Sequence, residues 1–464
     1  MNYPVWDVPI IGSGGVIAII AIFHVMISHF AIGGGFYLPM AEAKAVRERR
    51  ADWQLELRKH AKFFLVLTGV FGAVSGVGIW FSIGLANPEA TSTLIHNFVF
   101  GWAIEWVFFI VELTAAAVYY YTWGKIPDKA HLRVGWVYAI SSWMSLVIIN
   151  GILTFMLTPG PIWLGVAGSG QEASVFWSAF FNPTYWPSLI LRTLVCMSLA
   201  GIFALLTASR IDGYQEPRLK TEMIRWSSRW LVPAFVLMPV IFTWYLWNVP
   251  ESQRQLLNIG ISTIGQGTFT QVTRAALITV MTSGTIIAVV YTVAWRKPRD
   301  FNIGWAASIL LLALAATAAT EQSREMLRKP YVIGQYMYSN GVRKDEVARF
   351  NTQGYLSASM WVAPALASSD TDQQGEMMFR GQCMACHTRN GYRSMEKLLQ
   401  GRDRIAIANL LKTLHENKDD SPYRAFMPPL VGTDKEISAL TSYLSKLSVK
   451  SGPAKAPNQQ ALGQ

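Results

Sequence analysis

The chain has 464 residues, 52% of them hydrophobic, and a formal net charge of +11; its mean hydropathy is positive. Soluble domains are usually less apolar, so a purely soluble enzyme is excluded. The basic excess invites a nucleic-acid reading, but its distribution excludes one, as the loops show below.

Runs of about 20 apolar residues are long enough to cross a bilayer. They fall at 10–40, 63–86, 97–122, 134–158, 188–209, 230–249, 273–295 and 301–320. The first run is too long for a cleavable signal peptide and has no basic region before it, so it reads as a retained span. Lys and Arg gather in every second loop. Lys44–Lys62, Lys125–Arg133, Arg210–Arg229 and Arg296–Arg299 carry 18, while 84–95, 159–187 and 250–272 carry only Arg254. The positive-inside rule puts the basic loops in the cytoplasm. Eight spans then place both termini outside. The expected partner of this surface is lipid bilayer, with no nucleic acid.

Ionisable residues inside a bilayer are costly and are functional candidates by default. His24 and His29 lie in the first span. They are five residues apart, so they point about 140° from each other and do not serve one iron together. His60 sits beside Lys59 and Lys62 and reads as a solvated interface residue. His96 precedes the third span. Glu105 and Glu112, in "AIEWVFFIVEL", share a helix face about 10.5 Å apart; such a pair suits iron ligation or proton passage. His131 reads as a loop residue, and Cys196 as a small packed residue of the fifth span.

From about Asp370 the chain turns polar and amphipathic. "QCMACHTRN" (382–390) contains C-x-x-C-H, the attachment signature of covalent haem, which is added outside the cytoplasm. The charge pattern puts it on that same side. Cys383 and Cys386 would form thioethers, and His387 would ligate the iron. Met427, in "FMPPLVG", offers a sixth ligand that raises the potential relative to a second imidazole. No second cysteine pair exists for a zinc knuckle, and no disulfide framework is implied. Met377 and Met384 read as packing residues and His415 as a solvated surface histidine. Thr433 and Glu436 form a capping box before a helix with apolar Ile437, Leu440, Leu444 and Leu447.

Two resemblances follow. Gly375, Phe379, Cys383, Cys386, His387, Met427-Pro428 and the closing helix resemble class I cytochrome c over roughly 80 residues. "IFHVMISHFAIGGGFYLPMAEAKAV", "GAVSGVGIWFSIG", "AIEWVFFIVELTAAAVYYYTWGKI" and "IINGILTFMLTP" resemble the first four helices of cytochrome bd oxidase subunit I. "EMLRKPYVIG" looks like a diverged form of that family's G-R-Q-P-W element. The resemblance implies that His24 is an axial ligand of an active-site haem, that Glu105 lies near it as ligand or proton donor, and that Glu112 belongs to a proton route or a haem environment. It gives Arg328 the part of the motif arginine, near propionates or quinol, and it implies a second membrane subunit. The sequence also departs from the family. The fifth span has Arg192 and no histidine, which leaves His29 or His96 as alternative haem ligands. Glu321 and Glu325 are candidates for the family's later glutamate ligand, and the 250–272 loop is short where the family's quinol loop is long.

The expectation is thus an all-α polytopic bundle of about 8 spans plus a small all-α periplasmic cytochrome c domain, in a bacterial inner membrane. Residues 1–330 would form the haem-binding membrane domain, 331–370 a periplasmic linker, 371–450 the cytochrome c domain and 451–464 a disordered tail. The expected cofactors are covalent haem c and one or more membrane haems of b or d type. As an oxidoreductase subunit, the protein would pass electrons between the c haem and the membrane haems, and on to dioxygen. The alternatives are a quinol-oxidising subunit feeding the c haem, with quinol or a soluble cytochrome as partner, and a non-catalytic electron relay of a larger complex.

Overall fold

The computed structural model describes residues 6–251, 253–254, 269–359 and 370–450. The tail at 451–464, residues 360–369 of the expected linker and most of the 250–272 loop lie outside the described residues. Among the described residues, eight helices are long and apolar enough to cross a membrane: Gly12–Arg47, Ala51–Ala86, Val99–Tyr121, Asp128–Phe155, Tyr185–Ala208, Pro217–Asn248, Val272–Trp295 and Ile303–Arg328. Their number and order match the apolar runs. Several extend further than the runs, because polar residues at span ends continue the helix into the loops. The architecture is helical throughout, apart from one short hairpin of Tyr331–Ile333 with Met337–Tyr338.

The chain folds as two compact units. The larger comprises 20–79 and 94–328. In it the third and fourth spans pair along their length, as do the seventh and eighth, and the fifth packs against the fourth, sixth and eighth. Three consecutive glycines in the first span explain how that helix fits. A Cβ on Gly33 would lie 1.9 Å from the Cys196 carbonyl oxygen of the fifth span. One on Gly34 would lie 2.6 Å from the Phe64 ring of the second, and one on Gly35 2.4 Å from the Tyr138 ring of the fourth. Small residues allow such close helix approach where lipid supplies no hydrophobic drive. Around this point Phe30 stacks on Phe203 at 4.1 Å, and Tyr37 packs on Trp230. Cys196 is buried there, as a packed residue should be.

Among the described residues, the smaller unit comprises 6–19, 80–93, 329–359 and 370–450. The division differs from the expected one. Much of the supposed linker is folded, because Val342, Phe350, Tyr355 and Leu356 share a core with Phe379, Leu411 and Leu444. The N-terminal segment also belongs to this unit: Tyr392 N–H donates to the Ile10 carbonyl at 2.8 Å, and Arg389 pairs with Asp7. Helices Thr371–Gln382 and Asp434–Lys450 cross at Gly375, where a Cβ would meet the Ala439 carbonyl at 2.4 Å. Phe379 packs on Tyr443 beside that crossing. The capping box forms, with Thr433 N–H donating to Glu436 at 2.8 Å. The same carboxylate also accepts N–H bonds from Tyr355 and Leu356 at 2.9 and 2.8 Å, which ties segment 354–356 to the start of the last helix.

Two outcomes test this packing. Gly33→Val should cost at least about 3 kcal/mol, the upper range for overpacking, and sharply lower the membrane protein that survives heating in detergent, whereas Gly84→Ala, at an open position, should not. Glu436→Gln should weaken charge-assisted bonds worth about 2 kcal/mol each, and limited proteolysis should then begin in the 354–359 stretch.

Candidate functional site

In the larger unit, His24 is half-buried on the first span, with Nδ1 3.1 Å from Ser75 Oγ. The Ser75 hydroxyl donates to the Phe71 carbonyl at 2.6 Å. With the Ser75 proton on that carbonyl, Ser75 accepts from His24 Nδ1–H and Nε2 keeps its lone pair, the arrangement of a metal-bound imidazole held by an outer partner. Ser75 follows a π-helical turn at Leu67–Gly72, a feature frequent at functional sites. Gly76 lies against the imidazole, where a Cβ would come within 3.2 Å of Cε1. An imidazole held through Nδ1 with Nε2 free fits an axially ligated haem.

Glu112, half-buried on the third span, lies 3.0 Å from the Tyr138 hydroxyl, which is also 3.0 Å from the Ala31 carbonyl. Tyr138 has one proton for two acceptors, and a carboxyl at Glu112 can both take and give one, as a proton-passing position requires. Glu105 lies seven residues earlier, half-buried.

A second polar group gathers around His29. His29 is buried and its Nδ1 donates to the Val25 carbonyl at 2.7 Å. It lies in the electrostatic field of Arg192 and Glu321, and Glu321 pairs with Arg324 at 2.7 Å. Arg192 Nε is 3.4 Å from Ser188 Oγ, and Ser188 donates to Asn150 at 2.8 Å. Arg328 is buried, pairs with Glu325, and points Nη1 at Met156 Sδ, 3.6 Å away; its Nε has no partner among the described residues. Three arginines against two glutamates leave this group cationic, which suits an acidic substituent such as a propionate.

His96 is exposed on the helix Pro88–Asn97, ahead of the third span as expected. Two other histidines stand where they were not expected. His60 is not solvated. It is buried, bonded to Thr207 Oγ1 at 2.9 Å and edged by the rings of Phe30 and Tyr37, because one residue of helix turns it away from Lys59. His131 is not in a loop. It is buried in the fourth span, between Glu42 Oε1 and the Tyr119 carbonyl, both at 2.7 Å, and Tyr119 donates to Glu42 Oε2 at 2.6 Å. Glu42 among apolar neighbours was the missed signal. Ser75 and Tyr138 carry no such signal; a serine or tyrosine in a span is ordinary.

In the smaller unit, Cys383 and Cys386 form no disulfide and are both half-buried, and burial pushes the Cys383 thiol up to about 12. His387 Nδ1 lies 3.1 Å from the Arg393 carbonyl. A carbonyl only accepts, so Nδ1 carries the hydrogen and Nε2 is left for a metal. Burial, with the charges of Arg393 and Lys329, holds this imidazole below its usual range, against the opposing Arg393 carbonyl. Two thiols three residues apart beside an imidazole with open Nε2 fit a covalently held haem. Met427 lies half-buried in the turn that follows Tyr423, its N–H on the Tyr423 carbonyl at 2.8 Å. Met384 is buried and Met377 packs against the same core. His415 is only half-exposed, with Nδ1 on the Leu430 carbonyl at 2.9 Å, and so is less solvated than its sequence suggests. Among the described residues no three His, Cys, Asp or Glu side chains gather as a metal cluster.

Residues 15–243 match the family model for cytochrome bd terminal oxidase subunit I. The solved bd oxidase structure from Geobacillus thermodenitrificans superposes with a TM-score of 0.51, at 14% identity, over 79% of this chain and 92% of that one. At that identity the likeness is one of fold, and the fold is bd-oxidase-like. None of the curated proteins matches the chain.

Loss of an outer partner typically weakens metal binding about 10–100-fold. Ser75→Ala should therefore lower the amount of non-covalent haem retained per chain on purification, read by haem extraction, while Thr207→Ala at His60 should leave it unchanged.

Proposed function

We propose that the chain is a membrane respiratory haem oxidase subunit of the cytochrome bd subunit I type, carrying its own haem c domain at the C-terminus. The observation that carries this reading is the tautomer lock repeated in both units: Ser75 on His24 and the Arg393 carbonyl on His387 each leave an Nε2 open. The family match over the first half of the chain supports the membrane part, and C-x-x-C-H with its Gly375–Phe379 helix crossing supports the haem c part.

In this reading His24 holds a membrane haem and Ser75 orients it. Glu112 and Tyr138 would hold and move a proton between them, with Glu105 further along the same face. The cationic group of Arg192, Arg324 and Arg328 binds propionates. Cys383 and Cys386 attach the c haem, with His387 and Met427 as its ligands. Haem at these places supplies one-electron transfer and, where a coordination position stays open, dioxygen binding. Carrying both in one chain raises the local concentration of donor relative to acceptor. A second membrane subunit completes the assembly, the c domain lies on the periplasmic side of a bacterial inner membrane, and the enzyme is an oxidoreductase.

One observation favours a second reading. Arg192 stands in the fifth span where the family has a histidine, and it is engaged with Ser188. A chain without that haem ligand fits a quinol-oxidising subunit that delivers electrons to the c haem, or an electron relay.

Optical spectra of the purified chain separate these readings. Reduced-minus-oxidised difference bands of c type together with b- or d-type features that shift under carbon monoxide are expected. Extra bands indifferent to carbon monoxide would favour quinol oxidation, and a c-type band alone would sink the membrane-haem assignment. The double variant Cys383→Ala with Cys386→Ala should lose haem staining on a denaturing gel and keep the membrane-haem bands.

A further inference from the structure

Lys329 directly follows Arg328, and the related G-R-Q-P-W element carries glutamine in its place. The lysine has a specific partner in this fold. Its Nζ donates toward Cys386 Sγ at 3.5 Å, and Ser339 Oγ lies 4.0 Å from the same sulfur. Lys329, Ser339 and Cys386 all belong to the smaller unit. With haem attached, that sulfur would be one of its thioethers, and the ammonium would stand near the attached group. His387 feels the same charge, together with that of Arg393. Lys329 is half-buried, and a half-buried charge is screened less than one in open water.

Reduction of a haem by one electron adds one negative charge. A fixed cation nearby stabilises the reduced form more than the oxidised one. We propose that Lys329 sets the potential of the attached haem, holding it higher than glutamine at this position would and drawing electrons onto that haem. The proposal rests on the reading of Cys383, Cys386 and His387 as a covalent haem site. Lys329 is a positioning residue in this account. It bonds a sulfur of the attachment, ligates nothing, and acts through its charge.

The test is a spectroelectrochemical titration of the full-length protein in detergent, followed at the c-type band, with haem staining as the loading control. Lys329→Gln should shift the reduction equilibrium toward the oxidised form by about tenfold, which is about 59 mV for a one-electron couple. Lys329→Arg, which keeps the charge, should stay near wild type. If Lys329→Gln loads poorly, Lys329→Met keeps the length of the stem and carries the same expectation. A stained protein whose midpoint is unmoved by loss of the charge overturns the proposal and leaves the haem c reading standing. A wild-type chain that does not stain overturns both. A drop shared equally by Lys329→Arg would also overturn it, because the effect would then come from packing and not from charge.

Discussion

The membrane unit depends on one constraint of space. At Gly33, Gly34 and Gly35 the first span touches the fifth, the second and the fourth in three successive residues. Each contact is closer than any side chain permits, and one meets backbone rather than a side chain that can yield. Without a hydrophobic drive between helices, close packing is what holds such a bundle. The run also settles where His24 lies, since the same helix carries it nine residues earlier. His24 is presented to Ser75 and Gly76 because Gly33–Gly35 hold the helix at that depth and rotation.

A second theme is how a protein holds an imidazole ready for iron. Two solutions occur in this chain. In the smaller unit the partner is a backbone carbonyl at Arg393, a residue with φ of +49°. Non-glycine residues seldom adopt that conformation, so the loop accepts local strain to bring the carbonyl to His387. In the larger unit the partner is a serine whose own proton is spent on the carbonyl one helical turn earlier. The carbonyl forces the hydrogen onto Nδ1 of His387; the serine favours the same place in His24 while its own proton stays on the Phe71 carbonyl.

Much of this was legible in the sequence, and the reasons are physical. The number of spans follows from apolar length, and the helices at 371–382 and 434–450 follow from amphipathic spacing and a capping box. His24, Glu112 and the C-x-x-C-H residues stand out because charge and sulfur are rare in such surroundings. The burial of His60 and His131 was hidden, because sequence neighbours such as Lys59 and Lys129 report the loop and not the helix face. The extent of the smaller unit was hidden as well. Its core takes Val342, Phe350 and Tyr355 from a stretch with little periodicity, and Ile10 joins it through a backbone hydrogen bond that any residue could make.

An open imidazole nitrogen does not by itself make a binding site, and the contrast between His24 and His60 shows why. His60 also has one nitrogen committed, to Thr207, and its Nε2 has no partner among the described residues. The ring is walled by Phe30, Tyr37 and Phe63, which fill the space a cofactor would need. His24 instead lies against Gly76, where even a Cβ would come within 3.2 Å of Cε1. Glu42, His131 and Tyr119 mark the opposite limit: carboxylate, imidazole and hydroxyl satisfy one another and leave no valence for a ligand. Among these ionisable groups, His24 and His60 each commit one ring nitrogen to a hydroxyl side chain, while the Glu42 triad commits both nitrogens of His131.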